Sequence, residues 1–328
     1  MKRGLGIVIA AILVIVLCVT VFLKPSPQTG LSGELKIIHA GSLSVPIKEA
    51  SEVFMKKHPG VKVLTESHGS RTCARQISEL GKEYDVFGSA DYSVIDTLLI
   101  PQHASYTLRF ATNEMAIVLA ERAKKKITAE TWCDILLDPE IKWGHSDPNQ
   151  DPCGYRCLMT LQLAEKHYNK AGFYKNMLEH KGRVVRPKET DLLALIETGE
   201  IDYLFIYRSV AEQHKLDFIT LPDEINLKNP AKSELYAQAS VQLTGEKPGE
   251  FITKKGAPMV YGITIPGNAP NPPAALAFVE LMLGPEGNKI MTSCGQGVIA
   301  PAICEQYDAL PEELKKIAKP LPNEKHTR

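Results

Sequence analysis

Hydrophobic positions along this chain keep changing rhythm. A short apolar or alternating run gives way to a stretch with apolar residues every three or four positions, and then the short run returns. Residues 34–40 read as a strand and 41–46 as the turn into a helix. In that helix Ile47, Ala50, Val53 and Phe54 recur at helical spacing until His58-Pro59-Gly60 stops it. Residues 61–65 predict a second strand, and Ser67-His68-Gly69-Ser70 leads into a second helix through Leu80. A short third strand is expected over 85–88, followed by a helix opening at Ser89-Ala90-Asp91-Tyr92. Strands alternating with helices imply parallel βαβ units, in which ligands collect beyond the carboxyl ends of the strands. The turns holding Ser42, Ser70 and Ser89 are therefore expected to face one crevice.

An apolar strand over 113–120 leads away from this unit, and a second alternating pattern begins. It contains helices over 157–167 and 191–197 and a buried strand over 203–207. Another strand over 259–265 precedes a helix over 273–283, closed by Gly284-Pro285. A chain of 328 residues exceeds what one compact core usually takes. Two α/β lobes, with the chain crossing between them twice, account for the order. Lobe I is expected from residues 33–113 and 257–328, and lobe II from 114–256, with the ligand in the cleft where hinge closure buries it.

The N-terminus adds a compartment. Met1-Lys2-Arg3 precedes an apolar stretch over 4–23 and then Pro25-Ser26-Pro27, the order of an export signal. At about 20 residues the stretch is long enough to span a bilayer. An uncleaved anchor and a cleaved signal both fit, while Leu17 before Cys18 argues against lipid attachment. Residues 1–32 are thus export segment and linker, and the body is expected at the extracytoplasmic face of the cell membrane. Six of the seven cysteines lie in that body. Export permits disulfides, but six cysteines allow 15 pairings, so bridges and buried free thiols both remain open.

Charge excludes one class of partner. With 38 basic and 38 acidic side chains the net charge is zero, so the chain lacks the electrostatic footprint of a nucleic-acid binder. An anion would have to be held by local geometry. Gly41-Ser42 and Gly69-Ser70 each stand at a strand-to-helix turn, where free backbone N–H groups and the helix dipole favour an anion and the hydroxyl adds a neutral donor. Either serine alone reads as a helix cap; two at one sheet edge point to an oxyanion site. Asp151, with Pro152 at the first helical position, reads as an N-cap, and Glu224 as a loop acid. A carboxylate facing a bound dianion is repulsive unless it is protonated or bonded to the anion's central atom.

His39-Ala40-Gly41-Ser42-Leu43, Gly69-Ser70, Asp151-Pro152-Cys153-Gly154-Tyr155-Arg156, the segments 201–207 and 221–227, and Tyr261-Gly262-Ile263-Thr264-Ile265-Pro266 carry a resemblance. Together, in this order, they resemble the archaeal-type molybdate/tungstate-binding proteins of ABC importers, over roughly residues 34–313. The resemblance implies a bilobal periplasmic-binding-protein fold of type II with a tungstate or molybdate ion between the lobes. Gly41, Ser42 and Ser70 would bond the oxides, and Asp151 and Glu224 would coordinate the metal, raising it from four ligands toward six. Backbone N–H groups of Cys153 and Gly154 would point at an oxide, with Tyr207 and Tyr236 as candidate hydroxyl donors. Gln150 stands where many relatives have another acid, and Asp147 competes with Asp151 for the role. Arg156 is expected to pair with a local carboxylate rather than the ligand. The implied partners are a membrane permease and its cytoplasmic ATPase, with this chain acting as a monomer and carrying no cofactor.

Two other readings stand beside this one. A sulfate, phosphate or ferric-ion binder uses the same fold. An enzyme would need Cys153, at a helix start, activated by His145 or His167. Nothing here resembles a phosphate-binding loop, so ATP hydrolysis would belong to a partner chain.

Overall fold

The computed structural model describes residues 30–245, 247 and 249–322; the expected export segment over 4–23 lies outside them. Among the described residues fourteen strands are formed, in chain order β1 (Ser32–Ala40), β2 (Gly60–His68), β3 (Val86–Ser89), β4 (Leu108–Thr112), β5 (Met115–Leu119), β6 (Trp143–Ser146) and β7 (Arg183–Arg186). They continue with β8 (Tyr203–Tyr207), β9 (Phe218–Thr220), β10 (Ser240–Thr244), β11 (Phe251–Lys255), β12 (Val260–Thr264), β13 (Gly297–Cys304) and β14 (Ala318–Pro320). A seven-stranded sheet runs β14-β13-β4-β12-β3-β1-β2 and a five-stranded sheet runs β7-β6-β8-β5-β9, while β10 and β11 form a separate hairpin. The chain leaves the larger sheet after Thr112, enters the smaller at Met115, and returns after the hairpin at Val260.

Register fixes where the turns lie. β1 is parallel to β2 with Ala40 opposite His68, and parallel to β3 with His39 opposite Gly88. Gly41-Ser42, Gly69-Ser70 and Ala90-Asp91 therefore leave the same edge of the sheet. In the smaller sheet β6 is parallel to both β7 and β8, with Ser146 opposite Arg186 and Trp143 opposite Tyr203. Its carboxyl edge launches Asp147–Asp151, Pro187–Glu189 and the helix Arg208–Gln213 after Tyr207.

Both edges rest on solid cores. β8, Tyr-Leu-Phe-Ile-Tyr, is buried along its whole length, as expected for a strand covered on both faces. Phe205 packs edge-on against Trp132 and Trp143 at centroid separations of 5.7 and 5.6 Å. Such pairs contribute about 0.5–1.5 kcal/mol beyond the area they bury, and they hold the strand that ends in Tyr207. Eight described strands, β4, β6, β7, β9, β10, β11, β13 and β14, do not stand out in the apolar rhythm. β6 holds His145 and Ser146, β13 contains Pro301, and β11 alternates weakly because its hairpin is half exposed.

Candidate functional site

The two carboxyl edges meet. The backbone N–H groups of Arg71 and Thr72 donate to the carbonyl of Gln150 at 3.0 and 3.3 Å, and the Lys188 ammonium donates to the carbonyl of Ser67 at 3.1 Å. Gly69 is required at this closure, because a Cβ there would collide with the Gln150 carbonyl.

Ser42 and Ser70 are fully buried at the edge of the larger sheet. Ser42 Oγ accepts from the Tyr261 hydroxyl at 3.0 Å, and Ser70 Oγ accepts from the Ala90 backbone N–H at 3.0 Å. Among the described residues neither serine donates its own proton. Each hydroxyl thus has one proton left for an acceptor that the protein does not supply.

From the other side come two acids. Asp151 is 1% exposed; Oδ1 accepts from the Cys153 backbone N–H at 3.1 Å, capping the helix Pro152–His167, and Oδ2 accepts from the Glu189 backbone N–H at 3.0 Å. Capping and a site role are therefore compatible in this residue. Glu189, also 1% exposed, has both carboxylate oxygens buried without a hydrogen-bond partner among the described residues. They lie against Gly41, where a Cβ would meet Glu189 Oε1 at 2.8 Å. Burial, and then the neighbouring charge of Asp151, push the Glu189 carboxyl well above its ordinary range. A buried carboxyl left unpaired costs several kcal/mol as the anion, so without a ligand the proton is favoured here beside Asp151, and the ionised form calls for an electron-poor partner.

Sequence reasoning missed Glu189. It follows a β-strand's carboxyl end, as Asp151 does, and that shared position was the available signal. The strand before it, Arg-Val-Val-Arg, is short and half exposed, which hid the turn.

Other expected site residues fall elsewhere. Glu224 does not join Asp151: its side chain is 36% exposed and pairs with Lys232 at 2.9 Å, because the loop after β9 turns toward the helix Ser233–Tyr236. Tyr236 is buried under that same loop, donating to the Asp223 carbonyl and accepting from the Asn229 N–H at 3.1 Å. The N–H groups of Cys153 and Gly154 are engaged within the helix start, by the Asp151 carboxylate at 3.1 Å and the Asp151 carbonyl at 3.0 Å. Gly154 matters for packing instead, since a Cβ would collide with the Ser146 carbonyl. Asp147 is spent on the Asn149 N–H and on the Gln150 amide. Tyr207 is fully buried and accepts from Arg156 at 2.8 Å.

Arg156 pairs with a carboxylate, and that carboxylate belongs to the opposite edge. Asp91 Oδ2 receives Lys254 at 2.9 Å, the Tyr155 hydroxyl at 2.5 Å and Arg156 at 3.4 Å. Burial would raise its pKa, but Lys254 and Arg156 outweigh burial and hold the carboxyl well below the usual range. The hairpin carrying Lys254 also receives Arg75 on Thr244 Oγ1 at 2.8 Å and on the Gly245 carbonyl at 2.9 Å. Arg156 is thus occupied by Asp91, Ala90 and Tyr207 rather than free to face a ligand.

Among the described residues Cys153 makes no hydrogen bond to a base that would activate it. Burial pushes the Cys153 thiol well above its ordinary value, its sulfur faces the Phe205 carbonyl, and His145 accepts from Arg183 at 2.8 Å. All six described cysteines are free and buried. Among the described residues no helix is long and apolar enough to cross a membrane, and no group of three or more His, Cys, Asp or Glu is arranged as a metal site.

Residues 35–295 match the family described as bacterial extracellular solute-binding protein. A solute-binding protein of Petrotoga mobilis is 47% identical over 292 residues, covering 88% of this chain and 91% of that one. The molybdate/tungstate-binding protein WtpA of Thermococcus kodakarensis is 36% identical over 350 residues, with 97% of each chain covered. Among solved structures, the periplasmic molybdate-binding protein of Azotobacter vinelandii superposes with a TM-score of 0.54 at 18% identity, covering 80% of this chain and 98% of that one. That last likeness bears on the fold alone.

Proposed function

Because the chain belongs to the bacterial extracellular solute-binding protein family, we propose that it captures tungstate or molybdate between its lobes and delivers the oxyanion to an ABC permease driven by a separate ATPase. The observation that carries this reading is the Glu189 carboxylate, buried beside Asp151 and against Gly41 with no hydrogen-bond donor to it among the described residues, at a junction where the protons of Ser42 and Ser70 are also unspent. Simple anion capture would not place two acids there. A hexavalent metal inside an oxyanion reconciles them: its oxides accept from Ser42 and Ser70, while its electron-poor centre accepts carboxylate oxygens from Asp151 and Glu189. Sulfur in sulfate does not expand its coordination in this way, so the same acids repel sulfate. In this reading Glu189 takes the role that the sequence alone gave to Glu224.

Lobe I (residues 33–113 and 257–328) and lobe II (114–256) close over the ion, with Asn113-Glu114 and the segment before Val260 as the crossings. The apolar stretch over 4–23 directs export, as a cleaved signal or a retained anchor, and the body works at the extracytoplasmic face as a monomer and without a catalytic step. Calorimetric titration with tungstate, molybdate and sulfate tests the proposal. Sulfate binding as tightly as tungstate would sink it.

A further inference from the structure

We infer that Asn113, acting through Tyr261, fixes Ser42 as a hydrogen-bond donor to the bound oxyanion, so that a residue at the crossing between the lobes sets the polarity of the ligand site. The inference rests on the reading of the cleft given above.

Asn113 lies between β4 and β5, where the chain passes from one sheet to the other. Its side-chain orientation is not free. The backbone N–H groups of Glu114 and Ser209 lie 2.9 and 3.4 Å from Oδ1, and since an N–H can only donate, the carbonyl oxygen must face them. The amide NH2 then points the other way and spends its two protons on Ser209 Oγ at 2.7 Å and on the Tyr261 hydroxyl at 2.9 Å.

From here the direction propagates. Tyr261, having accepted from Asn113, gives its phenolic proton to Ser42 Oγ at 3.0 Å. Ser42, having accepted from Tyr261, keeps its own proton for the cleft. Asn113 is 5% exposed, and Ser209, Tyr261 and Ser42 are fully buried, so bulk water does not compete for these groups and the polarity stays set. Ser70 reaches the same state by a separate route, through the Ala90 backbone N–H. Both hydroxyls are therefore committed as donors before a ligand arrives. A fully deprotonated oxyanion presents only acceptors and suits this arrangement. A ligand oxygen carrying a proton toward Ser42 would set donor against donor.

Asn113 and Tyr261 are positioning residues here, and the test is whether they govern what the Ser42 hydroxyl is worth. Tungstate affinity is measured by calorimetry for Ser42→Ala in three backgrounds: wild type, Tyr261→Phe and Asn113→Asp. In wild type, loss of the Ser42 hydroxyl should weaken binding about five-fold, the size of one neutral hydrogen bond. With Asn113→Asp, one carboxylate oxygen still accepts from the two backbone N–H groups, and the other draws the Tyr261 proton away from Ser42. Ser42 then turns its own proton to Tyr261, and Ser42→Ala should cost nothing. In Tyr261→Phe the serine is unguided, and its removal should cost less than in wild type. Any general effect of the added charge cancels, because the cost of Ser42→Ala is taken within each background. The same five-fold cost in all folded backgrounds overturns the relay. If either background variant fails to fold, the other decides. Failure of the wild-type protein to bind tungstate would instead overturn the reading of the cleft.

Discussion

Asp151 Oδ2 accepts the backbone N–H of Glu189 at 3.0 Å, so one buried acid positions the other across two parallel strands' ends. The bond orients the Glu189 main chain but leaves its carboxylate without a partner, against Gly41 of the opposite edge.

Glu189→Gln should lower tungstate affinity by at least about ten-fold, a scale set by what even outer partners of a bound metal contribute. The preference for tungstate over sulfate should narrow as well. At a pH high enough to ionise Glu189 in the ligand-free protein, the variant should melt at a higher temperature, because a buried charge is removed. Glu224→Gln should leave affinity and selectivity at wild-type values, since it alters a half-exposed ion pair with Lys232. Calorimetry and thermal melts on the two variants read all four outcomes.

Proton linkage follows from the same acid. The folded-state pKa of Glu189 is raised above its ordinary 4.5, so the folded protein binds more protons than the unfolded chain in the interval above that value. The stability contributed at this position therefore falls as pH rises from about 4.5, and is highest in acid. Melting curves of ligand-free wild type and Glu189→Gln should diverge with rising pH, the variant becoming relatively more stable. Binding of a metal-centred anion should expel the proton. The calorimetric enthalpy of tungstate binding should then depend on the buffer's ionisation enthalpy in wild type and much less in Glu189→Gln.

Gly41→Ala should impair binding without unfolding the protein. The new methyl would stand 2.8 Å from Glu189 Oε1, and the side chain must move out of the cleft to make room. Gly267→Ala, whose nearest neighbour would be 3.7 Å away, is the matched control and should bind as wild type does.

Asp91→Asn should weaken tungstate binding by loosening lobe closure. The substitution leaves Arg156 buried with its carboxylate gone, a loss of about 3–5 kcal/mol for a broken buried pair. Lys254→Met should cost less, because Lys254 is partly exposed and Arg156 keeps its partner. Small-angle scattering of the tungstate-saturated variants should report a larger radius for Asp91→Asn than for wild type; an unchanged radius and affinity would remove Asp91 from the closure.

Native thiol chemistry should be slow. Burial pushes Cys133 up to about 12 and Cys294 and Cys304 up to about 11, and all six described cysteines are buried. An aromatic disulfide reagent at neutral pH should leave them largely unmodified until denaturant is added, after which all six should react.

Several parts of this protein were legible in its sequence because they depend on local rules. Apolar periodicity marked β1, β2, β8 and β12. Gly-Ser pairs after two parallel strands marked two strand-to-helix turns at one sheet edge, and Asp151-Pro152 marked a helix start. Two strands sharing a direction send their following turns to one edge whatever the rest of the chain does. The second acid was a different problem. Glu224 and Glu189 are both loop acids beside a strand, and only packing separates them: one loop turns out to Lys232, while the other is held inward by Asp151. Arg156 likewise read as a cation with a local carboxylate partner, but the partner, Asp91, is not local: it lies 65 residues earlier on the opposite edge. Sequence determined the strongly periodic elements and their order, since these follow from propensity and spacing over a few residues. Tertiary structure decided which acid is buried unpaired, which cation is neutralised and which way the Ser42 proton points, because each depends on groups brought together only when the two sheet edges close.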